Sequence, residues 1–499
     1  MLSSIARQSR SALCLLVVVL AGCKAVGPDY KAPELSATDL PSQWTSPTNA
    51  ARDGAAGGTT PAPAAQWWAE LSDPVLNLLV DAAFKSSPTL EVAMAKLGQS
   101  RLQSVQSGAA SLPTADASGA TQRSGTEGSS ALGSWLSMNA SWELDLFGSV
   151  RRGQEGAHAR EEAQVATLAD ARVSLAADVT DAYLNHRTCQ SLVTLSDQDL
   201  NSRVATGKLT VASVESGFTA PYQGIRSTAT IAEAKTRVAA TKARCQQLEN
   251  LLTRLTGITR PELMKTLAVQ PVGLDRLPAP RHFSVAIPAE AVMQRPDIRA
   301  AERRLAAASA DIGLAEANRY PRLALNGTLG YSAVSSDGGG SLSFGTWSFG
   351  PSFSLPIFDG GRRKAEVEIA RLRYEESLAN FKAETRNAIQ EVEDGLTRYA
   401  AAHDRAENAR LAANEYLRFF GSVEERYREG ASNLMELEDA RRAMLGAQQT
   451  LLGVQQELLQ AWVALNRATG GAAQYAPAAI TPQTSTPATN TPAATAPVK

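Results

Sequence analysis

The sequence predicts an α+β fold of two tandem structural repeats, each with long antiparallel helices and one β-hairpin, whose strands several chains must pool. Three observations predict it. Segments recur at a nearly constant spacing: Pro88 to Pro296 is 208 residues, Phe147 to Phe358 is 211, and both Gly217 to Gly430 and Gly257 to Gly470 are 213. Inside each copy the apolar period switches from helical to two and back to helical. Two proline-free stretches, 149–213 and 362–428, are far longer than any helix of an ordinary domain. A drift of five residues across the copy means that each half is one structural unit rather than an array of short repeats.

The elements follow in order. Arg7 and Arg10 precede the apolar run ALCLLVVVL at 12–20, which ends in LAGC at 20–23. This is a secretory signal segment, too short to span a bilayer. Its ending resembles a bacterial lipobox, which implies cleavage before Cys23 and covalent lipid on that residue. Lys24 then fits export to the outer membrane. The stretches 46–65 and 471–499, rich in Ala, Thr, Pro and Gly, carry too little apolar bulk to offset ordering entropy. Residues 74–112 read as one helix of about ten turns stopped by Pro113, and Ile298 to Arg319 is its second-copy partner.

Period-two segments come next. In 135–147 one face carries Leu136, Met138, Trp142, Leu144 and Leu146, the other Ser137, Asn139, Ser141, Glu143 and Asp145. In 346–358 one face carries Trp347, Phe349, Phe353, Leu355 and Ile357, with Thr346, Ser348 and Ser352 opposite. Leu323, Leu325, Leu329 and Tyr331 alternate likewise, while 114–123 is the weakest strand. Gly/Ser-rich loops at 124–134 and 335–345 should join strands of about ten residues. An oily face against a polar face that could form no core is the pattern of an outer-membrane barrel. Four strands cannot close, and open edges in hydrocarbon leave unpaired backbone groups at several kcal/mol each. Eight strands from two chains give a filled barrel, so a pore favours three chains and twelve strands. The fold class is therefore a membrane channel.

After each hairpin the helical arms run to turns near Gly217 and Gly430 and return to Gly257 and Gly470. Side by side around an axis, such hairpins make a tube. The junctions LDLFGSVRR (144–152) and LPIFDGGRR (355–363) are where strand becomes helix. Phe147 and Phe358 are expected at the interface, Gly148, Gly360 and Gly361 at the bend, and the arginines beside lipid headgroups.

Composition excludes other classes. Net charge is -1, which gives no electrostatic case for nucleic acid. Once Cys14 leaves with the signal and Cys23 carries lipid, Cys189 and Cys245 remain, too few for a disulfide scaffold or zinc cluster. His158, His186, His282 and His403 are scattered, and no nucleophile elbow or phosphate loop occurs, so no enzyme and no cofactor beyond the lipid is expected.

Four motifs now carry a resemblance: CKAVGPDYKAPE (23–34), AIPAEAVMQRPDIRAAERRL (286–305), FSLPIFDGGRR (353–363) and RYREGASNLMELEDARRAMLGAQQTLL (426–452). Over about 25–470 the chain resembles the TolC-like outer-membrane efflux proteins, in particular the lipidated NodT-type members of tripartite pumps. The resemblance implies a homotrimer with a 12-strand barrel, a 12-helix periplasmic α-barrel and an equatorial belt. It also implies a periplasmic adaptor (membrane fusion protein), an inner-membrane pump, and export of small molecules through an outer-membrane duct. A type I protein-secretion exit channel and a structural lipoprotein without a channel are the alternatives. The chain then divides into a signal peptide (1–22), a lipidated segment with linker (23–73), a first-repeat helix (74–113), β-hairpin (114–147) and helical hairpin (148–257), an equatorial connection (258–295), a second-repeat helix (296–320), β-hairpin (321–358) and helical hairpin (359–470), and a disordered tail (471–499).

In that family an acidic ring and polar links close the periplasmic end. The matching positions are Asp439 for the carboxylate, Arg442 for its basic partner and Met435 for an apolar constriction. The three share a helix face by spacing, which fits equally an exposed Asp–Arg pair. The first copy departs, with Arg226 at the position of Asp439 and Ala229 at that of Arg442. The adaptor is implied to meet the tips at Ser216, Gly217 and Phe218 and at Glu429, Gly430 and Ala431. Cys189 and Cys245 lie equally far on either side of Gly217, at one height of an antiparallel hairpin. They form either a disulfide, in an oxidising compartment, or two buried thiols.

Overall fold

A computed structural model describes residues 25–34, 44–46, 66–127, 129–269, 277, 292–336 and 339–471. The signal segment, Cys23, the linker at 47–65, most of the equatorial connection and the tail beyond Gly471 lie outside these residues.

Absence of proline decides the longest elements. Helices α3 (Ser149–Glu215) and α7 (Arg362–Arg428) each run 67 residues, roughly 100 Å at 1.5 Å per residue. Each folds back at a glycine with positive φ, Gly217 and Gly430, into α4 (Pro221–Thr256) and α8 (Leu434–Ala468). The expected single helix over 74–112 is instead two, α1 (Pro74–Ser86) and α2 (Pro88–Ala109). Pro88 supplies no amide and pushes Ser87 into an extended conformation, φ -74 and ψ 116. Ser87 closes the first helix and caps the second. Helix α5 (Arg260–Leu267) lies in the connection between repeats, and α6 (Pro296–Ala317) opens the second repeat.

The strands are longer than expected. β1 (Thr114–Thr126), β2 (Ser129–Leu144), β3 (Arg322–Ser336) and β4 (Ser341–Ser354) hold 13, 16, 15 and 14 residues. The Gly/Ser-rich segments assigned to loops pair as strand, because small polar residues complete a ladder wherever partners are in register. Thr126 faces Ser129, and Ser335 faces Ser341. The four strands form one antiparallel sheet in the order β1-β2-β3-β4, with the repeats joined by β2 against β3. β1 and β4 are therefore the edge strands. The apolar face is bare: Trp347 is 81% exposed, Phe349 75% and Phe353 67%.

Below the sheet, α2, α3, α6 and α7 stand side by side. Farther away the row becomes α4, α3, α8 and α7. The two long helices thus continue through both rows, while α4 follows α2 and α8 follows α6. Where the short helices meet, the largest core forms. Trp67, Leu76, Leu79, Val179, Tyr183, Leu252, Leu263 and Trp462 are buried together, and Trp67 meets Trp462 edge-on at 5.2 Å between ring centroids. Asp73 caps α1 through the amides of Val75 and Leu76 and accepts the Tyr183 hydroxyl at 2.6 Å. The N-terminus of α1 is thereby tied to the long helix α3.

Candidate functional site

The chain concentrates polar chemistry at two places, the strand–helix junctions and the hairpin tips. At the first junction Gly148 takes φ +85, and a β-carbon there would lie 2.5 Å from that of Ala25, so a side chain is excluded twice over. Asp145 accepts the amides of Val150 and Arg151 and so caps α3. At the second junction Asp359 accepts the amides of Gly361 and Arg363 and the Arg363 guanidinium. Desolvation raises the Asp359 pKa, but these donors outweigh it and hold the carboxyl below its usual range. Gly360 and Gly361 are both left-handed, with φ +64 and +87.

Of the four junction arginines, Arg151 and Arg362 are exposed, and the other two depart from the expected position. Arg152 is buried, not set at headgroups. It donates to the carbonyls of Val26 and Gly27 and to the Asp29 and Glu155 carboxylates, clamping the segment that follows Cys23. Arg363 turns back on Asp359. Phe147 stacks on Tyr320 with ring centroids 4.8 Å apart, whereas Phe358 is 92% exposed.

At the far end Asp439 and Arg442 pair with each other on the surface of α8. The Met435 sulfur accepts from Arg226 at 3.3 Å, which brings the two hairpins of one chain together. One residue back on the helix lies a network that sequence reasoning missed. Arg203 of α3 donates to Asp199 at 2.9 Å and to Glu438 of α8 at 2.7 Å. Arg441 pairs with Glu438, donates to Thr206 Oγ1 at 2.9 Å and lies 5.5 Å from the Phe420 ring centroid. Burial pushes the Arg441 pKa down, against the pull of Glu438. The sequence does hold a signal for it: position 441 falls between Leu437 and Leu445 on the apolar stripe of the return arm. A charge at such a place requires a buried partner.

The tips themselves are open. Ser216, Gly217 and Phe218 form one turn, with Phe218 88% exposed, and Tyr222 and Ile225 exposed beside it. Glu429, Gly430 and Ala431 form the other, where Arg426 donates to the Ala431 carbonyl at 3.1 Å. Cys189 and Cys245 join α3 to α4 as a disulfide, with Cα atoms 5.7 Å apart.

Each repeat thus contributes one long helical hairpin and two strands of a single four-stranded sheet. The profile of the outer membrane efflux protein family matches residues 79–258 and 287–471. The chain belongs to this family. It is 31% identical over 478 residues to the Nodulation protein T of Rhizobium leguminosarum bv. viciae, covering 93% of both chains. To the solvent efflux pump outer membrane protein SrpC of Pseudomonas putida it is 29% identical over 469 residues, covering 91% of this chain and 96% of the other. Among solved structures, the outer-membrane channel OprN aligns with TM-score 0.77 at 29% identity, over 90% of this chain and 99% of that one. The open state of the Neisseria gonorrhoeae MtrE outer membrane channel aligns with TM-score 0.76 at 27% identity, over 90% and 98%. As an outer membrane efflux protein, the chain places its sheet in the outer membrane and extends its helices into the periplasm.

Proposed function

We propose that three copies of this efflux protein close a twelve-stranded barrel over a twelve-helix tube, the passive exit duct of a tripartite system. A periplasmic adaptor docks on the tips around Phe218 and Gly430, and an inner-membrane pump supplies small toxic molecules from below. Lipid on Cys23 anchors the N-terminus at the membrane. The observation that carries this reading is the four-stranded sheet with two unpaired edges and a bare aromatic face. In lipid that sheet is intolerable unless neighbouring chains continue it.

Within the duct, Asp439 and Arg442 line the periplasmic mouth. Repeated around a threefold axis, the carboxylates form a ring, and Met435 with Arg226 narrows the passage one turn nearer the tip. A closure held by exposed polar pairs is weak enough for a docking partner to open. The Cys189–Cys245 bond keeps the first hairpin from splaying while the second moves. The test is deletion of the gene followed by susceptibility measurements over a panel of antibiotics, dyes, solvents, organic acids and metals. Increased sensitivity to at least one small-molecule class, restored by the cloned gene, is expected. Unchanged sensitivity together with loss of a secreted protein would replace efflux by protein export.

A further inference from the structure

Just below the sheet, the row α2–α3–α6–α7 borders an open recess of about 600 Å³, on which Lys96, Arg304 and Arg373 are exposed. Its walls come from all four helices at once, including the two outer members of the row. A cavity can touch the first and fourth of four aligned helices only on the concave side of a curved row. The N-terminal segment marks the opposite side. Tyr30 bonds Glu302 at 2.6 Å, whereas Arg304, two residues on and about 200° around the helix, lines the cavity.

Among the described residues, six charged side chains line this space: Lys96 of α2, Arg160 of α3, Arg304 and Asp311 of α6, and Arg373 and Glu376 of α7. Arg160 donates to both oxygens of Asp311, at 2.6 and 2.5 Å, and each neutralises the other. Lys96, Arg304 and Arg373 remain against Glu376 alone. Arg304 spends one N–H on Thr167 Oγ1 at 3.2 Å. Among the described residues Lys96 and Arg373 have neither hydrogen bond nor ion pair. Three cations from three helices thus converge on a recess with free donors.

We propose that this recess is an anion-binding station on the duct wall, taking organic solutes that carry two or three carboxylates. Its place in the lumen rests on the trimeric duct reading, while the recess itself is complete within one chain. Guanidinium forks match carboxylates geometrically, and a recess walled by protein focuses the field of the unpaired cations. Three such recesses at one level of the tube would ring the lumen with surplus positive charge. A departing anion is held there, between the periplasmic mouth and the open barrel.

Citrate is the probe. The full-length protein is inserted in planar bilayers, and citrate is added on the barrel side. In parallel, citrate binding to the detergent-solubilised protein is measured by titration calorimetry. Wild type should bind citrate and lose current as it is added. The triple variant Lys96→Gln, Arg304→Gln, Arg373→Gln should need at least about tenfold more citrate in both assays, the loss that even one charge-assisted contact brings. Glu376→Gln should need less. Citrate that acts equally on wild type and triple variant, or on neither, overturns the station. Citrate heat without any conductance, in wild type and in the Asp439→Ala, Arg442→Ala variant alike, would retain the station and sink the duct, and conductance without a citrate effect would do the reverse.

Discussion

Adjacent residues on α8 have opposite duties. Asp439 and Arg442 are exposed and pair within their own helix, so the pair adds only a few tenths of a kcal/mol to one chain. Glu438 and Arg441 point the other way and are buried against Arg203 and Thr206. Removing one partner of a buried, hydrogen-bonded ion pair costs about 3–5 kcal/mol, because the survivor stays desolvated. Glu438→Ala should therefore lower the thermal unfolding midpoint clearly, while Arg441→Met with Glu438→Leu lowers it less. Asp439→Ala with Arg442→Ala should leave the midpoint nearly unchanged and raise resting conductance in planar bilayers. A closed state as tight as wild type would remove these two residues from the closure. Arg152 is a third case, with its guanidinium serving the backbone of residues 26 and 27 rather than lipid. Arg152→Gln should release the N-terminal segment and speed tryptic cleavage after Lys31 by about tenfold, the factor that corresponds to about 1.4 kcal/mol of lost restraint. An unchanged digestion rate would show that the other contacts of the segment suffice.

Among the elements, the first helical hairpin carries a covalent tie that the second lacks. The cysteines close a loop with a sequence separation of 56 residues, and a loop of that size restricts the unfolded chain by about 4 kcal/mol in the chain-entropy view. Cys189→Ser with Cys245→Ser should lower the thermal midpoint, and the same shift should follow reduction of the wild type. Wild type that reacts with a maleimide before reduction would show the thiols to be free. The long hairpins and their turns are legible in the sequence because proline, glycine and helical periodicity all act locally. The strand ends are not. Residues 114–125 offer no oily alternation, and they become strand because β2 presents a partner in register. The break at Ser87 is legible in principle, since Pro88 follows it, but an otherwise unbroken apolar stripe masks it. The Arg203–Glu438 link joins residues 235 positions apart, and no local pattern in α3 announces its partner. Arg152 escapes sequence reading for the same reason: two arginines after a barrel strand suggest headgroups, and only the returning N-terminal segment makes one of them a buried clamp.

At the scale of the whole molecule, the sheet decides the assembly. Among the described residues of one chain β2 and β3 are satisfied on both sides, while β1 and β4 each keep a free edge. The edges differ, so one chain's β1 must meet the next chain's β4, a head-to-tail contact that closes only as a ring. Two chains would make an eight-stranded barrel too narrow for a duct, and three make one of twelve strands. Cross-linking can count them. With a cysteine at Ser118 of β1 and a second scanned along Thr346, Ser348 and Gly350 of β4, all on the polar face of the sheet, a short bismaleimide should join neighbouring chains wherever the register brings the two close. Cys189 and Cys245, bonded to each other, stay silent. Denaturing gels should then show one, two and three linked chains and nothing larger, and either cysteine alone should give no ladder. A ladder ending at two chains would mean a filled barrel, and a product confined to single chains would mean that β1 and β4 of one polypeptide meet, leaving no shared wall and no pore.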